Sequence, residues 1–211
     1  MRMDYQKLRA WVADMPVFSP QDVATLSGQS AASVAVSLNR WVKSERIERL
    51  RRGLYTLNES DRRVPISRAL IASLLVEPSY LSGVWVLANA AVIPEAVFTV
   101  TSATKGRRLD FSNTHGSFAF RRIPERAWFG FKVKEVEGGD VLFADAEKAL
   151  LDTIYWSRSV WGVDRFKQER VDKERIDSGR LKRYAQKWQT PALRQSVDAF
   201  IQYKESSCLT W

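Results

Sequence analysis

The 211-residue sequence predicts an α/β chain of the α+β kind, in which short helices and a β-hairpin precede a larger mixed region. Three observations indicate this class. Helical patterns occupy most of residues 5–43, strand patterns lie between residues 97 and 144, and helical patterns return after Asp145. With 45% hydrophobic and 27% charged residues, the composition is that of a globular protein. The length fits one large domain or two small ones.

The first three helices are predicted from apolar spacing and capping residues. The first spans residues 5–13. Ser19 and Pro20 start a second helix, which stops at Gly28. Ser30 caps a third helix, whose apolar stripe consists of Ala31, Val34, Ala35, Leu38, Trp41 and Val42.

Residues 47–57 predict a β-hairpin. Strands over residues 47–50 and 54–57 flank a turn at Arg51, Arg52 and Gly53, where glycine supplies a positive φ. Short helices followed by a hairpin are the order of a winged helix-turn-helix. The polar segment over residues 58–65 predicts a linker. We therefore predict a winged helix-turn-helix domain over residues 1–60 and a second domain over residues 61–211.

The second domain is predicted to contain a small antiparallel sheet and C-terminal helices. Helical patterns cover residues 66–76 and 82–91, and strand patterns cover residues 97–102, 116–123, 128–136 and 141–144. Phe118 and Phe120 alternate with Ala119 and Arg121, which suits antiparallel strands with one buried face. From Asp145 onward the pattern predicts helices broken near Gly162, Ser178-Gly179 and Thr190-Pro191.

The net charge of +9 is concentrated in two segments of the chain. Residues 1–57 carry nine basic and five acidic residues, and residues 97–134 carry eight and two. Residues 135–211 carry thirteen of each and are neutral overall. A polyanion such as nucleic acid is therefore a candidate partner for two separate surfaces.

The N-terminal segment predicts contacts to double-stranded DNA. In a helix-turn-helix the third helix enters the major groove, so the residues opposite its apolar stripe are the candidate readers. Wing arginines can follow phosphates or enter a minor groove. The candidate contacts are Gln29, Ser30, Ser33, Ser37, Arg40 and Lys43 on the third helix, and Arg46, Arg49, Arg51 and Arg52 on the wing. The alternative is a solvated basic face on a protein-interaction module.

The middle segment predicts a second basic patch, made of Lys105, Arg107, Arg108, Arg121 and Arg122. It does not match the Walker pattern G-x-x-x-x-G-K-[ST]. Two interpretations stay open for it. The patch contacts nucleic acid or an acidic partner protein, or it is a solvated sheet face with a charged hairpin tip.

The sequence predicts no catalytic, cofactor or metal site. A single cysteine, Cys208, and a single histidine, His115, exclude an internal disulfide and a Cys/His zinc site. We interpret His115 as an exposed turn residue and Cys208 as a terminal residue without a role. The other candidate for a metal site is a cluster of carboxylates, Asp140, Asp145, Glu147 and Asp152. Pairing with Lys148 and helix capping account for these residues without a metal. We expect no enzyme and no cofactor.

No apolar run approaches the ~20 residues that span a bilayer. The first seven residues, MRMDYQK, lack the apolar stretch of a signal peptide. We therefore expect no membrane partner and a cytoplasmic location.

Several motifs resemble those of AbiEi-type antitoxins from type IV abortive-infection toxin–antitoxin systems. In the N-terminal part they are FSPQDV (18–23), LNRWVK (38–43) and RRGLY (51–55). In the second part they are EPSYLSG (77–83), VIPE (92–95), TVTS (99–102), GSF (116–118), FGF (129–131) and ADAEKALLD (144–152). The resemblance covers roughly residues 15–160. The second part is the more discriminating, because winged helices are common to many regulators.

This resemblance implies a bacterial antitoxin that is also a transcriptional regulator. Its N-terminal domain would bind operator DNA and repress its own operon, and its second domain would counteract a nucleotidyltransferase toxin without requiring a stable complex. One alternative is a stand-alone regulator or adaptor whose second domain binds a protein or a small ligand. Another is an enzyme or RNA-binding protein that uses the patch in residues 97–134. The sequence leaves the operator, the toxin and the oligomeric state open.

Overall fold

The computed structural model describes residues 3–206, and its helices and strands enclose two hydrophobic cores. Cys208 lies outside the described residues. Within the described part of the chain, no helix is both long and apolar enough to cross a membrane.

The N-terminal part contains three helices and a hairpin, in the predicted order. These elements are α1 (Tyr5–Val12), α2 (Pro20–Ser27), α3 (Ala31–Lys43), β1 (Ile47–Arg51) and β2 (Leu54–Leu57). The boundaries follow the predicted caps. The Ser19 hydroxyl accepts from the Asp22 amide, and the Asp22 carboxylate accepts from the Ser19 amide at 2.7 Å. Gly28 ends α2 at φ 67°, a left-handed conformation that glycine adopts without strain.

The first core lies between the three helices and one face of the hairpin. The predicted apolar stripe of α3 faces this core, in which Val34, Leu38 and Trp41 are buried. Phe18 and Tyr55 exchange two backbone hydrogen bonds of 2.9 Å, which tie the segment before α2 to the wing. Because one side of α3 is buried in this way, its opposite side faces solvent.

The second part of the chain begins at residue 68. Its helices are α4 (Arg68–Leu75), α5 (Gly83–Asn89), α6 (Ala146–Ser157), α7 (Val163–Gln168), α8 (Ser178–Trp188) and α9 (Pro191–Glu205). Its strands are β3 (Ser79–Leu81), β4 (Thr99–Thr104), β5 (Leu109–Asn113), β6 (Gly116–Arg122), β7 (Phe131–Val136) and β8 (Gly139–Ala144). Single turns of 3-10 helix occur at Glu125–Ala127 and Lys173–Arg175.

The six strands of this part form one sheet in the order β5-β6-β4-β3-β8-β7. The fold class is confirmed, but the sheet is mixed. Pairs β3/β4, β5/β6 and β7/β8 are antiparallel, whereas β4/β6 and β3/β8 are parallel. The strand predicted from Trp128 begins only at Phe131, because a 3-10 turn precedes it.

The second core is not confined to the second part of the chain. It contains Leu50 and Leu54 of the wing, which are 2% and 9% exposed. One face of the hairpin therefore closes the first core and the other face joins the second.

Candidate nucleic-acid interface

The predicted reader residues of α3 lie on its outward side. Ser30, Ser33, Arg40 and Lys43 are exposed, and Gln29 and Ser37 are half-buried. The Ser30 hydroxyl also caps the helix, because it accepts from the Ser33 amide at 3.2 Å. Val36, in the middle of this face, is 71% exposed. Small side chains thus surround an accessible apolar residue, with cations toward the C-terminal end of the helix.

Aromatic rings hold two of the arginines at the edge of this face. The Arg40 guanidinium carbon lies 5.6 Å from the centroid of the Trp41 ring, and that of Arg46 lies 5.3 Å from the Tyr5 ring. Burial is the main cause that raises the pKa of Tyr5 to about 12, and a hydrogen bond to Asp61 is the second. Tyr5 therefore stays neutral beneath Arg46 at physiological pH.

The wing presents three arginines around its turn. Arg51 pairs with Leu54 across the hairpin, and a bulge between Arg49 and Arg51 changes the register just before the turn. Arg49 and Arg52 are exposed, whereas Arg51 is half-buried and donates from Nη1 to the Arg52 carbonyl at 3.1 Å. Gly53 completes the turn at φ 78°.

Within the described residues, the cations of α3 and the wing have no acidic partner. Among residues 3–206, no ion pair includes any of Arg40, Lys43, Arg46, Arg49, Arg51 and Arg52. The carboxylate of β1, Glu48, instead contacts the second part of the chain. We refer to the outward side of α3, together with Arg46 and the wing arginines Arg49, Arg51 and Arg52, as the reading face. None of its cations is therefore ion-paired among the described residues.

The second predicted patch is largely ion-paired. Lys105 lies 2.5 Å from Glu125, and Asp110 lies 2.6 Å from Arg121 and 3.4 Å from Arg108. Desolvation raises the pKa of Asp110, but the hydrogen bond from Arg121 and the nearby cations outweigh it and hold the pKa below its usual range. Within the described chain, Arg107 and Arg122 are exposed and form no ion pair.

The two basic surfaces lie at opposite ends of β6. The turn before β6 contacts the wing, whereas Arg121 and Arg122 end the strand. Six residue steps of a strand span about 20 Å. The structure therefore separates the second patch from the reading face.

A contact between the wing and the β5–β6 turn was absent from the sequence prediction. The Thr114 hydroxyl donates to Glu48 Oε2 at 2.5 Å, and His115 Nε2 lies 3.0 Å from the same oxygen. The His115 side chain is 19% exposed, so its interpretation as an exposed turn residue is wrong. Contact with His115, against the opposing effect of desolvation, lowers the pKa of Glu48. Thr114 and His115 lie 66 and 67 positions after Glu48, so no local sequence pattern predicts the contact.

The acidic residues of α6 take part in buried pairing. Lys148 and Asp152 form an ion pair in which both side chains are fully buried. The remaining Asp152 oxygen accepts from the Tyr80 and Ser82 hydroxyls at 3.0 and 2.5 Å. Burial raises the pKa of Asp152 and lowers that of Lys148.

The predicted capping role also has a structural counterpart, because Asp145 accepts from the Lys148 amide at 2.9 Å. In the described range, no group of three or more His, Cys, Asp or Glu side chains is arranged to hold a metal ion.

Three short helices and a two-stranded wing define a winged helix-turn-helix, an architecture that DNA-binding regulators use. Residues 6–58 match a family model described as "Transcriptional regulator, AbiEi antitoxin". The resemblance of the N-terminal part to this family is thus confirmed over residues 6–58. The match covers about a quarter of the chain. No curated protein matches the sequence.

Proposed function

We propose that the protein is a DNA-binding transcriptional regulator and antitoxin of a type IV toxin–antitoxin system. In this proposal, residues 1–60 bind double-stranded operator DNA and repress the protein's own operon. The observation that carries it is the reading face, whose six cations have no acidic partner within the described residues. The family match over residues 6–58 supports the same role.

The two elements of the reading face have different tasks in this proposal. The outward side of α3 enters the major groove, where Arg40 donates to a guanine edge and the small side chains of Ser33 and Ser37 permit close approach. The wing arginines Arg51 and Arg52 lie along phosphates, which every sequence presents alike. The α3 contacts thus supply specificity, and the wing contacts supply affinity.

The second domain, residues 61–211, acts in this proposal as the antitoxin and counteracts a nucleotidyltransferase toxin without a stable complex. The motifs over residues 77–152 support this assignment through their resemblance to the antitoxin family. We propose no catalysis and no cofactor, because the carboxylates of α6 are engaged in capping and buried pairing. The working compartment is then the cytoplasm, where the operon lies.

A mobility shift tests DNA binding. The full chain is titrated into the DNA upstream of its gene and into a random duplex of equal length, over a salt series. We expect retention of the upstream DNA that survives ~150 mM salt. Equal binding to both duplexes, lost as salt rises, would contradict sequence-specific regulation.

Two alanine variants separate the tasks of α3 and the wing. Arg40→Ala is expected to weaken operator binding by about 1–3 kcal/mol and random-duplex binding much less. Arg51→Ala is expected to weaken binding to both duplexes alike. It is also expected to reduce the slope of log affinity against log salt concentration by about one. Arg194→Ala is the matched control, because it removes the same charge from an exposed position on α9, a helix that packs against α6, α7 and α8.

Antitoxin activity is tested by co-expression with a nucleotidyltransferase toxin, taken from the neighbourhood of the gene if one is encoded there. Growth restored by the full chain supports the proposal, and growth restored equally by the Arg40→Ala variant shows that neutralisation is separate from operator binding. Specific operator binding without rescue would favour the stand-alone regulator.

One observation favours that second candidate. A cleft of about 780 Å³ lies between the wing and β5, lined by Leu50, Phe111, Arg49 and Arg52 among others. This volume is within the range of small-molecule sites. A regulator that responds to a small ligand would use such a cleft, and a ligand-induced change in operator affinity would identify it.

A further inference from the structure

The wing hairpin is held between two parts of the molecule. Ile47 and Leu57 are buried in the core of the three helices. Leu50 and Leu54 are buried in the core of the second part. A two-stranded hairpin is at best marginally stable by itself, so its geometry depends on what packs against it.

Polar contacts fix the second side of the hairpin. Asn113 Nδ2 donates to the Leu50 carbonyl at 3.2 Å, and the Thr114 hydroxyl donates to Glu48 Oε2 at 2.5 Å. Both contacts act on β1, on either side of Arg49 and immediately before Arg51. The register of β1 changes in the same stretch, because the bulge lies between Arg49 and Arg51.

The turn that provides these contacts is itself well held. Asn113 Oδ1 accepts from the His115 amide at 2.9 Å, so a single side chain links the turn to the wing. Asn113 pairs with Gly116 at the end of the β5/β6 ladder. Gly116 also packs closely against the Arg68 guanidinium. A Cβ atom at position 116 would lie only 2.9 Å from Arg68 Nη2. The turn that contacts the wing is therefore itself held by contacts within the second part of the chain.

We propose that Asn113 and Thr114 are positioning residues for DNA binding, which act on the wing arginines through β1 without touching DNA. Their two hydrogen bonds set the path of β1 and so present Arg49, Arg51 and Arg52 to the phosphate backbone. This inference rests on the proposed DNA-binding function. It adds the contacts through which the second part of the chain influences operator affinity.

The first experiment removes each contact from the full chain. Thr114→Val and Asn113→Ala are each expected to weaken operator binding about five- to tenfold, which is the effect of one ordinary intramolecular hydrogen bond. The salt slope is expected to fall by about one as wing–phosphate contacts are lost. Thr153→Val is the matched control. It removes a hydroxyl hydrogen bond of 2.8 Å to the Ala149 carbonyl within α6 and is expected to leave operator affinity unchanged.

A double-variant measurement separates positioning from general destabilisation. If Thr114 acts through the wing, Arg52→Ala costs less affinity in the Thr114→Val chain than in the unaltered chain. Arg40→Ala, on α3, costs the same in both chains. A general loss of folded protein would instead reduce the apparent affinity of every variant by one common factor. Hydrogen exchange at the amides of residues 48–54 is expected to accelerate in Thr114→Val and not in Thr153→Val.

The outcomes distinguish the two proposals. If the unaltered chain binds its operator and Arg52→Ala weakens binding, but Thr114→Val and Asn113→Ala do not, the positioning role is overturned and the proposed function stands. Equal costs of Arg52→Ala in both backgrounds would also overturn it. If the unaltered chain retains no operator DNA, the proposed function fails and this inference fails with it.

Discussion

The reading face and the second basic patch have similar positive charge in the sequence, but their cations have different surroundings. On the reading face no described cation has an acidic partner, whereas Lys105, Arg108 and Arg121 of the patch are paired with Glu125 and Asp110. Paired cations have part of their charge satisfied and are less available to phosphates. The difference shows that a local excess of arginine in the sequence does not tell whether those cations are ion-paired in the folded chain.

The interiors of the two parts differ as well. The core around α3 is apolar, with Trp41 as its largest contribution from that helix. The core around α6 contains a fully buried ion pair, Lys148 with Asp152, and the hydroxyls that bond to it. One core therefore depends on close packing and the other also depends on mutual neutralisation of charge.

The largest effect is expected from Trp41→Ala. Trp41 is 4% exposed and packs edge-on against Tyr5 at 5.7 Å, so truncation leaves a large cavity. We expect a loss of about 3–5 kcal/mol in the free energy of unfolding, measured by urea denaturation. Operator binding is expected to be lost with it. A loss below about 1 kcal/mol would show that the first core tolerates a cavity.

An effect of similar size is expected from Lys148→Met, which leaves Asp152 buried without its cation. The expected loss is about 3–5 kcal/mol, again by urea denaturation. The control is Lys187→Met, because Lys187 is exposed and lies 4.4 Å from the Phe129 ring. The Lys148→Met chain with Asp152→Leu added is expected to be more stable than Lys148→Met alone. If it is less stable, the pair is not the reason for the loss.

The sequence predicted the N-terminal part closely because its signals are local. Ser19, Ser30 and Gly28 mark helix ends through their own hydrogen bonds and φ angles, and the stripe of α3 has a clear period. The reader residues predicted on α3 also lie on its outward side, because that side follows from the same period.

The second part was harder to predict because its decisive contacts join distant segments. Strand β3 has three residues, too few to show alternation, and the parallel pairs β4/β6 and β3/β8 have no local signature. The burial of Lys148 and Asp152 depends on Tyr80 and Ser82, some 70 residues away. The support of the wing by Thr114 was missed for the same reason.

A smaller effect is expected from the pairing of the second patch. Arg108→Ala is expected to change operator affinity by less than about 0.5 kcal/mol, because Arg108 is exposed and paired with Asp110. Asp110→Ala tests the comparison directly, since it frees both Arg108 and Arg121. If pairing is what withholds this patch from DNA, Asp110→Ala raises binding to random duplex in the mobility shift. No change would show that the patch fails to bind DNA because it lies about 20 Å from the wing, and not because it is ion-paired.

The last expected effect concerns the acid dependence of the wing contact. The folded-state pKa of Glu48 is lowered, chiefly by His115 and further by Thr114, so ionised Glu48 stabilises the folded chain. This contribution is complete above the ordinary glutamate pKa of about 4.3 and disappears as the pH falls through the lowered folded-state value. At pH 6, Glu48→Gln is therefore expected to be less stable by about 0.5–1 kcal/mol, as for a partly exposed pair. The two chains are expected to converge as the pH approaches 3 in thermal unfolding. A difference that persists unchanged to that pH would show that the shape of the Glu48 side chain, and not its charge, joins the wing to the β5–β6 turn.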